Sequence, residues 1–425
     1  MSERQKERED QQQTDTDKSS EVWGNRKESL LVLSGIHSSL FVIFPEALQE
    51  VMWRVVLAVG LLCGGSDGQV SCKNEAGVAV DWYILYKGAN SFDFIYIDRT
   101  MRGGFKKGSS PINHQDGILA KTLAPIFTDK PECEFIAYND QPPYGSSGSA
   151  CGHSKGVVLV DKDTVVWLLH STPQFPETRE SNKFFPDTGK TFAQTFICVT
   201  FPKSQLDKIE THLRHIRAHI FDSNMDKFSA VKFREVWTSD KMLNEQTVLY
   251  QDLTSMDGEN FKCFFKKISK EPEDGDLYVT IANTLETNLY VQTWGRQKHK
   301  SGSSCSARRY CLYNVQSIKS TLLGNWNCGS DHSKWCVSEN KDWTCIADSN
   351  RGERQFERPG GALCIKNHVV TNAFKKLGKK TSIRPKKPKK KNTKRITNVK
   401  DKRYPKKKSY PKKKKISKGK TTFIF

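Results

Sequence analysis

No Cys-x-x-Cys pair occurs anywhere in the 425 residues, and the late spacings of Cys328, Cys336, Cys345 and Cys364 match no common zinc pattern. No Asn-x-Ser/Thr sequon is present, so N-linked glycosylation has no acceptor. The most apolar core, Val55–Leu62, is far shorter than the roughly 20 residues needed to span a bilayer, which excludes stable membrane insertion there. The earlier run Leu30–Phe44 holds His37, Ser38 and Ser39 and makes a poor span. No periodic repeat stands out, so a solenoid is excluded. Acid is nearly missing from one region. Between Lys375 and Lys420 lie 24 of the 68 Lys and Arg but only one of the 47 Asp and Glu, Asp401.

That asymmetry divides the chain. The formal charge of +21 belongs to the C-terminal segment, which alone carries +23, and the remainder is close to neutral at −2. Hydrophobic residues at 36% and aromatics at 10% support a folded interior and exclude a wholly disordered protein. Twelve cysteines are many for a cytosolic enzyme. Apart from Cys63 they fall between Cys72 and Cys364, and with no metal pattern they favour a disulfide-bearing protein of the secretory route. Their odd number leaves at least one thiol unpaired.

Residues 1–51 form an upstream extension whose first twenty are polar and predicted to be disordered. Segment 52–68 reads as a signal peptide: Arg54, the apolar core, then small residues suited to cleavage. Its position is unusual, because such a signal normally begins at the initiator Met; Met52 is the alternative start. The body spans 69–377, with halves at about 69–220 and 221–377. Strands are predicted at Val78–Tyr86, Phe92–Ile97, Glu134–Tyr138, Gly156–Asp161, Val165–His170 and Thr195–Phe201. A helix opens at Ser204, with Leu206, Ile209, Leu213 and Ile216 on one face and Asp207 completing a capping box. Further strands are predicted at Leu277–Ala282, Leu289–Trp294, Trp343–Ala347 and Ala362–Ile365, then a helix Val369–Leu377. Strands mixed with helices in two successive sets imply an α/β (mixed α+β) fold of two packed halves. The segment 378–425, with its runs of Lys and Pro, reads as an extended tail. It is either a solvated extension or a tether that steepens the salt dependence of nucleic-acid binding.

Two tripeptides are identical: His153-Ser154-Lys155 and His332-Ser333-Lys334. In a strand, residues i and i+2 share a face, so each unit offers an imidazole beside an ammonium group. Two such units facing each other suit phosphoryl transfer without a metal or cofactor. One neutral imidazole attacks phosphorus, the other protonates the leaving oxygen, and the lysines stabilise the non-bridging oxygens. Spacing alone is weak, since ten histidines in a Lys-rich chain produce on the order of one His-x-Lys by chance.

The surrounding blocks add specificity. SCKNEAGVAVDWYILYK (71–87), AYNDQPP (137–143), GHSKGVVLVD (152–161), WLLHSTPQFP (167–176), DHSKWCVS (331–338) and WTCIAD (343–348) resemble, in order, the deoxyribonuclease II family of acid endonucleases. The start of the body looks nearest the beta-type branch. That family is similar in fold to the phospholipase D superfamily, with two α/β halves packed as a pseudo-dimer, each giving one His-x-Lys to a central cleft. The resemblance therefore implies His153, Lys155, His332 and Lys334 as catalytic residues. The longer phospholipase motif, with Asp five residues after Lys, is not met, because Val160 and Glu339 stand there. His170 matches a family histidine, as a substrate contact or a structural hydrogen-bonding group. Trp335 either stacks on a base or packs in the core. Asp140 and Gln141 are read as loop-shaping residues. The resemblance also implies disulfides Cys72 with Cys198 and Cys345 with Cys364. It leaves Cys305 without its usual partner, with Cys311 or Cys328 as substitutes.

The expectation is a metal-independent acid endonuclease that cleaves double-stranded DNA to 3′-phosphate ends through a histidine-phosphate intermediate, lysosomal or secreted. Two other readings stand beside it. One is a phospholipase D-like phosphodiesterase acting on lipids, disfavoured by the missing Asp and the basic tail; the other is a DNA-binding protein with little turnover.

Overall fold

The computed structural model describes residues 69–131, 133–148, 150–224, 248–305 and 310–379. The expected extension 1–51, the expected signal segment 52–68 and nearly all of the Lys-rich segment 378–425 lie outside those residues. The first half builds β1 (Trp82–Lys87), β2 (Phe94–Asp98), β3 (Lys106–Lys107), α1 (Ile118–Leu123), β4 (Glu134–Asn139), β5 (Lys155–Val160), β6 (Thr164–His170), β7 (Gln194–Pro202), α2 (Leu206–His215) and β8 (Ile220–Ser223). They form an eight-stranded sheet in the order β8-β4-β5-β6-β7-β1-β2-β3, with every pair antiparallel.

The second half supplies β9 (Tyr250–Thr254), β10 (Asn260–Phe265), α3 (Leu277–Leu285), β11 (Leu289–Gln292), β12 (Ser304–Cys305), β13 (Cys311–Asn314), β14 (Ser317–Ser320), β15 (Gly324–Asn327), β16 (Trp335–Ser338), β17 (Trp343–Ala347), β18 (Gly361–Lys366), α4 (His368–Leu377) and β19 (Gly378–Lys379). A second eight-stranded sheet runs β9-β10-β18-β17-β16-β11-β13-β12, with β11 and β13 its parallel pair, and β15-β14-β19 make a small third sheet. The first sheet thus continues past residue 220, and β19 carries the fold past 377.

Side-chain alternation explains the layering. In β1, Trp82, Ile84 and Tyr86 face one way and Tyr83 and Leu85 the other; β6 repeats this with Val165, Trp167 and Leu169 against Val166 and Leu168. One face joins an apolar layer shared with the second sheet, including Phe261, Trp335, Val337 and Ile365. Ile209 and Leu213 of α2, and Val370 and Phe374 of α4, belong to that layer too. The opposite face of the first sheet packs with α1, and that of the second with α3. Both faces of each sheet are covered, which is why the strands read as continuous apolar runs.

Two expectations fail. Leu277–Ala282, rich in β-branched residues, lies in helix α3, because Asp276 accepts a hydrogen bond from the Tyr278 N–H as N-cap and the helix is buried nearly all round. The Ser204 capping box is absent: Ser204 sits in a 3-10 turn, Lys203–Gln205, and α2 begins behind Gln205 with no side-chain cap. The disulfides Cys72–Cys198 and Cys345–Cys364 form, and Cys305 pairs with Cys311. Among the described residues, Cys151, Cys263, Cys328 and Cys336 are free. No helix among them is long and apolar enough to cross a membrane.

Candidate active site

Each His-Ser-Lys unit precedes a strand. Lys155 opens β5, whereas His332 and Lys334 lie just ahead of β16, so only one of the four side chains sits in a strand. Glycines make the first unit possible. A Cβ on Gly152 would stand 1.8 Å from the Ile216 carbonyl oxygen, and one on Gly156 would stand 2.3 Å from the Tyr138 hydroxyl. Neither position has room for a larger residue.

Each unit is held by the other half of the molecule. The His153 N–H donates to the Pro359 carbonyl at 3.0 Å, and Arg358 donates from Nε to the Cys151 carbonyl at 3.1 Å. Reciprocally, the His332 N–H donates to the Ala193 carbonyl at 2.9 Å, and the Ala193 N–H donates to Ser330 at 3.0 Å. The His332 ring stacks on Phe192 with centroids 3.8 Å apart, and Trp294 meets it edge-on. Tyr86 of β1 reaches across to donate to Asp331 Oδ2 at 2.6 Å, which also accepts from the Trp326 indole at 2.8 Å.

Asp140, read from the sequence as a turn residue, organises the first pair. Its carboxylate accepts from Lys155 Nζ, and from Arg358 Nη2 at 2.9 Å; Oδ2 lies 2.9 Å from His153 Nδ1. A carboxylate at that distance requires the proton on Nδ1, and leaves the Nε2 lone pair free. Arg358 Nη1 also lies 3.3 Å from Nδ1, and the shorter carboxylate contact decides the tautomer. Burial raises the Asp140 pKa, but the charges of His153, Lys155 and Arg358 outweigh it and hold the carboxyl well below its usual range. It stays an anion throughout mildly acid conditions.

The two units feel each other. Burial lowers His153 to about 4, with Asp140 opposing and Lys155 and Lys334 adding to the drop. Burial likewise lowers His332 to about 3, and Lys334, His153 and Lys155 all contribute. Lys334 falls to about 7 through burial and repulsion from Lys155. His332 Nε2 is buried and has no hydrogen-bond partner among the described residues, an orphan that a phosphate oxygen or leaving oxygen would satisfy.

The remaining sequence candidates lie elsewhere. His170, at the end of β6, is 1% exposed between Phe175 and Phe196; its Nδ1 accepts from the Thr172 N–H at 3.2 Å. Burial holds its pKa well below the ordinary value, with Lys155 adding to the drop. Trp335 is fully buried, donates to the Tyr86 hydroxyl at 3.2 Å and packs on Phe374. The structure places its ring within the core, with no face exposed. Sequence reasoning missed Arg358, Phe192 and Trp294, which carry no local signature.

Fold and site together define a class: an α/β protein of two sheet-bearing halves, each bringing one His-x-Lys near enough to the other for their charges to interact. The chain belongs to the deoxyribonuclease II family, whose model matches residues 71–383. Deoxyribonuclease-2-alpha of Sus scrofa is 34% identical over 331 residues, 73% of this chain and 90% of its own. Deoxyribonuclease-2-beta of Homo sapiens is 30% identical over 77% of this chain and 97% of its own. Plancitoxin-1 of Acanthaster planci is 31% identical over 73% and 91%. Alpha and beta types match at comparable identity, so the comparison sets the family and not the branch. Yeast tyrosyl-DNA phosphodiesterase matches 55% of this chain and 70% of its own at 11% identity with a TM-score of 0.29, too slight a likeness to carry an argument.

Proposed function

We propose that the chain is an acid endonuclease that cleaves double-stranded DNA to 3′-phosphate products without a divalent ion, with His153, Lys155, His332 and Lys334 as its catalytic residues. The observation that carries this reading is the mutual electrostatic influence of the two His-x-Lys units, each held in place by the opposite half. His153, with Nδ1–H fixed on Asp140, presents Nε2 to the phosphorus. Attack forms the N–P bond as the P–O5′ bond breaks, and a proton from His332 goes to O5′. Water then attacks phosphorus, His332 takes its proton, and the N–P bond breaks to leave the 3′-phosphate. Lys155 and Lys334 stabilise charge on the non-bridging oxygens. Burial and the nearby lysines keep both imidazoles neutral at mildly acid pH; a phosphodiester anion beside them raises their pKa values and supplies the mixed protonation state the reaction needs.

Three disulfides and the family support a lysosomal or secreted location. The Lys-rich segment 378–425 is read as a DNA tether, and a deletion from Lys380 that leaves the salt slope of DNA binding unchanged would refute that role. The test of the catalytic reading is supercoiled DNA incubated at acid pH with EDTA. The parent should nick and linearise it, and a folded His153→Ala/His332→Ala variant should lose nearly all activity. Double-digit residual activity in that variant would sink the assignment, and binding without cleavage by the parent would favour a DNA-binding protein with little turnover.

A further inference from the structure

Asp348 directly follows β17 and is 3% exposed. Its backbone N–H donates to the Gly361 carbonyl at 2.9 Å, and its Oδ2 accepts from the Gly361 N–H at 3.3 Å, folding the carboxyl over the start of β18. Oδ1 is buried and has no hydrogen-bond partner among the described residues. An ionised carboxylate in that position is costly, whereas a protonated one, or one facing a ligand donor, is tolerated. The position adjoins the second His-Ser-Lys unit, because the neighbouring Ala347 N–H donates to the Lys334 carbonyl at 2.8 Å. The charged groups around it are Lys155 and Asp140 from the first half and Lys334 from the second. Tyr138 and Tyr278 also feel its charge, and His212 closes over Gly361.

We propose, resting on the nuclease reading above, that Asp348 is a positioning residue whose ionisation shuts the pocket: as the neutral acid it leaves Lys155 and Lys334 to the phosphodiester, and as the carboxylate it draws them away and repels the substrate. Burial outweighs both lysines and lifts this carboxyl to about 8, so it is neutral where the enzyme works. Lys334 loses its proton near 7, so the pocket sheds positive charge and then gains negative charge over about the same range. Asp348 therefore adds a loss of substrate affinity to the alkaline limb that deprotonation of the histidine acid already produces.

The variant Asp348→Asn keeps the shape and abolishes the ionisation. Its KM for DNA, relative to the parent's, should fall several-fold as pH rises from 5 to 8.5, displacing the alkaline limb upward by about one pH unit. Superimposable profiles over that range would overturn the proposal. Binding of a short duplex by His332→Ala and His332→Ala/Asp348→Asn across the same range reads the claim without turnover, so it stands or falls even if the parent fails to cleave DNA. A second signature is folding. Because the folded pKa is raised, the parent's contribution from Asp348 is complete below about 4 and lost as pH rises toward 8. The parent should thus lose stability relative to the Asn variant across that window, and an unchanged difference would contradict a buried titrating carboxyl. Where Asp348→Asn does not fold, Asp348→Ser, smaller and equally neutral, serves in both measurements with the same expected and contrary outcomes.

Discussion

Asp140 shows how a residue unremarkable in the sequence becomes decisive once the chain folds. It sits 13 positions before His153 and 218 before Arg358, and both reach the same carboxylate. Replacing it with Asn leaves Lys155 and Arg358 without their anion and removes the group that fixes the His153 tautomer. Breaking a buried ion pair costs about 3–5 kcal/mol, and a lost acid–base arrangement lowers rates by on the order of 10²–10⁴-fold. We therefore expect Asp140→Asn to lower kcat by at least about 10²-fold at saturating DNA, with a reduced melting temperature. A variant whose kcat is unchanged while its stability falls would confine Asp140 to a structural role. The repeated His-Ser-Lys units were legible because residue identity repeats; Arg358 was not, because nothing near it in the chain marks it as a partner of a loop 200 residues away. The same limit explains Trp335. Its position beside a candidate catalytic pair suggests a base contact, and only the packing of Tyr86 and Phe374 over it shows that no face is free.

At the level of elements, most strands of the first half were readable, since both faces of that sheet are buried and the runs are long and apolar. Helix α3 was not. Its sequence, LYVTIANTL, has the β-branched content of a strand, and the local signal that opposes it is the single cap Asp276. The same carboxylate accepts from Arg351 Nε at 2.9 Å in a pair whose side chains are only 1% and 3% exposed. Asp276→Ala should therefore remove the cap and strand a buried guanidinium, destabilising the fold by about 3–5 kcal/mol in urea unfolding. A loss below about 1 kcal/mol, the typical value of a cap alone, would show that Arg351 is satisfied by its remaining acceptors, Gly302, Asn314 and Ser304. Strands β9 and β10 escaped the sequence reading because their burial is uneven: β9 mixes exposed and half-buried positions, and β10 starts on an exposed Asn260.

The whole molecule is built to be read by pH, and the sign is set by its histidines. Burial holds His153 near 4, His212 and His332 near 3, and His170 well below its ordinary value. An unfolded chain protonates all of them near 6.5. Their contribution is therefore complete above about 6.5 and lost as pH falls toward 4, where the unfolded chain takes up protons that the fold refuses. Asp140, depressed rather than raised, changes nothing in that window, and the three buried carboxyls that burial raises, Asp81, Asp331 and Asp348, run the other way against the four histidines. The melting temperature should fall as pH drops from 7 to 4, and adding inorganic phosphate should recover part of the loss by binding between the two pairs. A melting temperature that rises toward pH 4 would contradict the neutral burial of these rings. The disulfide Cys72–Cys198, with a sequence separation of 126, counters the loss from the unfolded side. The chain-entropy model assigns it on the order of 4–5 kcal/mol.

The central claim is covalent: a histidine carries the 3′-phosphate between two in-line displacements. Its most direct test is the stereochemical course at phosphorus, using a phosphorothioate DNA diester of one known configuration cleaved in ¹⁸O-labelled water at acid pH with EDTA present. Each in-line displacement inverts the centre, so attack by His153 followed by attack of water predicts net retention in the 3′-thiophosphate product. Net inversion would mean that water displaces the 5′-oxygen in one step, with the imidazoles acting only as acid and base, and would contradict the account.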